Sequence, residues 1–102
     1  MITITTVVAT VPGLTEADIW HFVEADWVRP ARQGGQPVFS EADLARIQLI
    51  QDLRTALEVE EPTLPLVLSL LDQLYATRRQ LRLLLKSAGP ELRAQLAAGL
   101  EG

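Results

Sequence analysis

The chain contains no cysteine. That excludes a disulfide framework, a thiolate metal site and a cysteine nucleophile, and it fits a reducing cytoplasm, the expected location. There is one histidine, His21, so no second imidazole can converge with it on a metal. No metal and no other cofactor is expected. No apolar run approaches the roughly 18 residues that a spanning helix needs. The start, MITITTVVATVPG, has no basic segment ahead of an apolar one and makes a poor secretory signal. The Gly34-Gly35 pair lacks both the Gly-x-Gly spacing and the Lys-Ser/Thr of a phosphate cradle. There is no strained serine motif, and Asp43 and Asp52 fall off one helical face, so an enzyme is not expected. Positive charge is also scarce. Nine Lys and Arg stand against thirteen Asp and Glu, a formal net charge of −4. Nucleic-acid binding takes much of its affinity from phosphate neutralisation, so this balance disfavours it.

What is present is a modest, helix-rich chain of 102 residues, 48% of them hydrophobic. That content excludes wholesale disorder and allows one domain, or a small domain plus an association helix. The opening ITITTVVATVPG is β-branched. It suggests a short extended piece, then a one-turn helix capped by Thr6 and stopped by Pro12-Gly13. TEAD, from Thr15 to Asp18, is a capping box. Behind it Ile19, Phe22, Val23 and Trp27 recur at helical spacing and predict one apolar face. RPARQGGQP predicts a hairpin or wing around Gly34-Gly35, with Val38 and Phe39 in its return strand. SEAD, from Ser40 to Asp43, is a second capping box, followed by Leu44, Ile47, Ile50, Leu53 and Leu57 as the inward row.

EVEEPTLP then breaks the chain, and a long helix is expected from about Thr63 to Lys86. Leu64, Leu71 and Leu85 lie seven or fourteen apart. Val67, Leu74 and Leu81 form the companion row, and Arg78 interrupts one slot. Such heptads signal a coiled coil. A helix of this length is on the order of 36 Å long, more than a small domain can cover, so a homodimer through these seven residues is expected. The expected organisation is a domain over residues 1–60, a dimerisation helix over 61–88 and a short tail over 89–102.

The helix behind Thr15 is acidic. It carries Glu16, Asp18 and Glu24, with Asp26 just beyond, and no Lys or Arg between Leu14 and Trp27. Opposite Ile19 lie Ala17, His21 and Glu24, with Trp20 at the margin. Exposed acids steer a partner electrostatically, and a tryptophan commonly anchors an interface. Glu16, Asp18, Trp20, His21 and Glu24 are therefore the candidate partner-binding residues. Each also has a plainer reading as capping, solubility or core. Arg78, Arg79, Arg82 and Lys86 form the one basic cluster. Cations at a helix C-terminus meet its dipole favourably, which accounts for them without nucleic acid.

GLTEADIWHFVEADWVRPA, then GGQPVFSEADLARIQLIQDLR, then LEVEEPTLPLVLSLLDQL together resemble the MerR-type winged helix-turn-helix, from residue 5 to about residue 86. Within that group the chain looks most like the CbpM-type chaperone modulators. That likeness rests on Val28-Arg29-Pro30, VFSEADLARIQLIQDLR, the acid-proline break EEP and LVLSLLDQLYATRRQLRLL. The resemblance implies a mostly α fold with a small β-wing and a long C-terminal dimerisation helix. It also implies a non-enzymatic regulator that binds the J-domain of a DnaJ-like co-chaperone of the CbpA type. Binding would inhibit stimulation of a DnaK-type chaperone. The alternative is a MerR-type DNA-binding transcription regulator. Relatives that bind DNA commonly carry arginines on the exposed side of the second helix and in the wing. Here those positions are Ala17, Trp20 and Pro37. The second helix of a J-domain is typically basic, which suits the acidic helix of this chain.

Overall fold

The computed structural model describes residues 1–101, with the side chains at 92, 93, 96, 100 and 101 outside the description. In chain order the elements are β1 (Ile2–Thr3), α1 (Ile4–Thr10), α2 (Glu16–Glu24), β2 (Ala31–Gln33), β3 (Gln36–Phe39) and α3 (Glu41–Thr55). A 3-10 turn, Glu61–Thr63, then leads into α4 (Leu64–Ser87), and α5 (Pro90–Glu101) follows. This is the mostly helical winged arrangement expected, and the long helix starts and stops within a residue of its expected limits.

The chain divides into two compact units, Met1–Pro65 and the segment from Leu66 onward. The division falls inside the first turn of α4, a few residues later than the expected boundary at residue 60. The segment expected as a short tail carries one more helix. Twelve residues form α5, with Pro90 in the first position, where a missing N–H costs nothing.

In the first unit, the helix starts follow from local chemistry. Thr15 accepts from the Asp18 N–H at 3.1 Å while the Asp18 carboxylate accepts from the Thr15 N–H at 2.9 Å. Ser40 and Asp43 repeat the arrangement at 3.1 and 2.9 Å. Each box satisfies two of the donors that a helix N-terminus leaves unpaired. The first helix departs from expectation. Thr3, not Thr6, is its cap, and α1 begins three residues early, so Thr6 lies inside it and donates its N–H to Thr3. The strand shrinks correspondingly to Ile2 and Thr3.

The wing is a three-stranded antiparallel sheet in the order β1-β3-β2. Ile2 pairs with Phe39, and Ala31 with Val38. Gly34 and Gly35 both have positive φ, 59° and 81°, as a two-residue hairpin turn of type I′ requires. Pro37 sits in the central strand, but β1 reaches only Val38 and Phe39, so the side of Pro37 without a donor has no neighbouring strand to satisfy.

The core of this unit gathers Val7, Leu14, Ile19, Phe22, Trp27, Val28, Phe39, Ile47, Ile50, Leu53 and Leu64, all buried. Two residues depart from their expected positions. Leu57 was expected to face inward, yet it is 68% exposed, because α3 ends at Thr55 and Glu58 turns the chain with a φ of 51°. Leu64 was expected in the dimer seam. It is completely buried within the first unit and has no surface left for a second copy. In its place in the α3 row a polar residue is buried. Gln51 lies between Leu53 and Ile50 and donates from Nε2 to the Pro12 carbonyl at 3.3 Å, pinning the turn between α1 and α2.

Candidate functional site

The helix-turn-helix pair α1–α2 turns at Pro12-Gly13. Gly13 has a φ of 75°, which favours glycine, and a Cβ there would press on the Gln51 amide at 3.3 Å. The turn sets α2, the element that bears all five candidate partner-binding residues.

The end of α2 is built by a Schellman motif. Asp26 takes the left-handed position with φ 64°, its N–H reaching the Val23 carbonyl at 3.1 Å, and the Trp27 N–H reaches the Phe22 carbonyl at 2.9 Å. Aspartate tolerates this conformation better than most residues. The motif folds Trp27 back onto Phe22, with ring centroids 5.7 Å apart. Trp27 is thus core, but it lies beyond the helix rather than on its face. Arg29 clamps Asp26 with two bonds, at 2.8 and 2.6 Å. This pairing holds the Asp26 carboxyl below its ordinary pKa and raises that of Arg29.

Three of the five candidates share one row. Glu16, Trp20 and Glu24 follow at i, i+4 and i+8, and on a helix these positions lie above one another. Both glutamates are exposed and the tryptophan is half-buried, so an aromatic edge is flanked by two solvated negative charges. Ala17 beside them is exposed and small.

The other two candidates have partners within the fold, Asp18 half-buried and His21 exposed. Besides its capping bond, Asp18 accepts from Arg54 at 3.4 Å, across from α3. Partial burial pushes its pKa up, but the Thr15 bonds and the Arg54 charge outweigh it, and the carboxyl lies below its ordinary value. Arg54 also lies over the Phe22 ring, 5.1 Å from its centroid, a cation–π contact that ties α3 to α2. His21 Nε2 pairs with Glu61 of the 3-10 turn, and its ring stands edge-on to Trp27 at 5.3 Å. Asp18 and His21 therefore position α2. Glu16, Trp20 and Glu24 form a row on α2 that no contact among the described residues engages by its polar groups, with Ala17 and His21 exposed beside it.

The residues that complete this arrangement, Arg54 and Glu61, were not candidates. Each lies far along the chain from its partner, 36 residues for Arg54 and 40 for Glu61, and no local spacing points to them.

The basic residues of the unit have their own fold partners. Residues 1–65 hold four arginines and ten acids, six more negative than positive charges. Arg29 binds Asp26, Arg32 the Gly35 carbonyl at the wing tip, Arg46 the Trp27 carbonyl, and Arg54 both Asp18 and Phe22. Pro37, at the wing position where DNA-binding relatives carry arginine, is buried. Among the described residues no group of three or more His, Asp or Glu could hold a metal ion, and no helix is long and apolar enough to cross a membrane.

A helix-turn-helix pair, a hairpin wing, a second capped helix and a long following helix are the parts of one known architecture. The family described as MerR HTH family regulatory protein matches residues 2–86. This chain belongs to that family. The match spans β1 to the last turn of α4, so it takes in both units. Neither the curated proteins nor the solved structures contain a match to it. MerR-like regulators are generally non-enzymatic.

Proposed function

We propose that this MerR-family chain is a chaperone modulator of the CbpM type. It binds the J-domain of a DnaJ-like co-chaperone of the CbpA type and prevents it from stimulating a DnaK-type chaperone. One observation carries the proposal: the outward row of α2 is anionic around a half-buried tryptophan, in a unit whose four arginines all have partners in the fold. A DNA backbone would meet Glu16 and Glu24 as like charges. A basic J-domain helix would meet them as opposite charges. The glutamates would speed encounter and orient it, while the Trp20 edge supplies the apolar contact.

The mechanism is steric. The modulator occupies the J-domain surface that the DnaK-type chaperone needs, and no covalent step is involved. Two chains related by a twofold axis would present two equivalent rows. A cytoplasmic location belongs to the same proposal, since the partners it names work there.

The second reading is a MerR-type DNA-binding transcription regulator. What favours it is that the helix-turn-helix and wing are structurally complete. Calorimetric titration of the protein into the J-domain of its host's DnaJ-like co-chaperone, at low and high salt, separates the two. Binding at one J-domain per chain that weakens with salt supports the modulator. Absence of heat at both salts, together with a gel shift of duplex DNA, overturns it in favour of the regulator.

A further inference from the structure

Among the described residues Gln51 is the only buried polar one, 6% exposed. Its Nε2 donates to the Pro12 carbonyl, which fixes how the amide points and leaves Oε1 buried with no hydrogen-bond partner. An acceptor left without a donor inside a fold is costly and uncommon. Gln51 also lines a cavity of about 360 Å³, together with Val11, Pro12, Gln48, Asp52 and Thr55. All of these lie in the first unit.

The lining is rich in acceptors and short of donors. The Asp52 carboxylate can only accept. Thr55 donates its hydroxyl hydrogen to the Gln51 main-chain carbonyl at 2.8 Å, so its oxygen is left as an acceptor. No Lys, Arg or His lines the cavity, and only the Gln48 amide adds donors. Asp52 stands in the last turn of α3, where a negative charge opposes the helix dipole. No hydrogen bond or ion pair among the described residues takes up its carboxylate. An anion would be repelled here, and one carboxylate is too few for a metal ion. What fits is an organic cation with several N–H donors. Val11 and Pro12 supply an apolar wall for its methylene stem.

We infer that this cavity receives an arginine or lysine side chain of a protein partner, with the cationic head between Gln51 Oε1 and the Asp52 carboxylate. Ligand pockets run from about 300 to 1,000 Å³, so this one suits a single side chain rather than a bulky cofactor. Arginine fits better than lysine, because its planar fork can bond the amide oxygen and the carboxylate together. The unit around the cavity carries six more acids than bases, which draws a basic surface toward it. The inference adds a second contact, on α3, to the proposed function, and it rests on that reading only for which protein supplies the side chain.

The amide proton–nitrogen spectrum of the isotope-labelled full chain tests the cavity without the J-domain. The probe is arginine capped by acetyl and methylamide groups, and its neutral counterpart is capped citrulline. The Gln51 side-chain amide and the Asp52 backbone amide are expected to shift saturably with the arginine probe, and about fivefold more weakly with citrulline. Asp52→Asn relieves the helix dipole and keeps the fold, and should weaken the arginine probe about three- to fivefold. An equal response to citrulline, or an Asp52→Asn variant that binds arginine as wild type does, overturns the cationic site. Absence of any saturable shift overturns the cavity as a receptor and leaves water as the partner of Gln51. If ethylguanidinium saturates the shift and capped arginine does not, the occupant is a free organic cation and the side-chain assignment falls. A J-domain that gives no heat with the wild-type chain strikes the J-domain reading alone, since the arginine titration still decides the cavity.

Discussion

Asp18 and the pair Glu16 and Glu24 are carboxylates on one short helix, and the structure gives them different surroundings. Asp18→Ala removes the acceptor for the Thr15 N–H and the partner of Arg54, both in a partly buried setting. A capping interaction of this kind contributes about 1 kcal/mol. The ion pair, with side chains 30% and 26% exposed, adds roughly 0.5 kcal/mol once solvent screening is allowed for. The expected loss is therefore about 1–2 kcal/mol, which lowers Tm by roughly 5–10 °C in a domain of this size. The J-domain affinity of the folded protein should change less than about threefold, or 0.6 kcal/mol. The double reversal Glu16→Lys with Glu24→Lys should do the opposite. Neither glutamate has a fold partner to lose, so stability should stay within about 0.5 kcal/mol. Two attractions become two repulsions, each roughly 0.2–1 kcal/mol at an exposed site, so affinity at low salt should fall on the order of tenfold. Thermal denaturation followed by circular dichroism and calorimetric titration give both numbers for both variants. If Asp18→Ala leaves Tm unchanged but removes binding, the division of labour is wrong. If the double reversal leaves affinity and its salt dependence unchanged, the acidic row is not the contact.

Acid titration tests the Asp18 carboxyl separately. Its folded-state pKa is depressed, so the stability it confers is complete above the unfolded value and is lost as pH falls through the folded one. The Tm gap between wild type and Asp18→Asn should accordingly narrow between about pH 6 and about pH 3; a constant gap would contradict the shift. Phe22→Ala should cost about 3–5 kcal/mol, since the ring is fully buried between Trp27 and Arg54. A loss under 1 kcal/mol in urea denaturation would mean that the α2–α3 joint lies elsewhere. Gly35→Ala should cost about 1–2 kcal/mol although nothing crowds the site, because its φ of 81° strains any side chain. Gly34→Asn, at φ 59°, should cost under about 0.5 kcal/mol in the same assay, since asparagine accepts that conformation.

Local chemistry was legible in the chain. The Thr15 and Ser40 capping boxes, the Gly34-Gly35 turn, and the limits of α4 are decided by neighbours within a few residues, and each forms as the residue types require. The acidic, cation-free character of α2 is likewise a property of the sequence.

The tertiary structure decided which side chains on that helix remain outward. Asp18 and Glu16 are two residues apart and chemically alike, but only Asp18 faces Arg54. That pairing depends on how α3 crosses α2, not on spacing. His21 was engaged by Glu61 in the same way. Leu57 and Leu64 exchanged expected roles because the chain reverses at Glu58 and brings the start of α4 into the first unit.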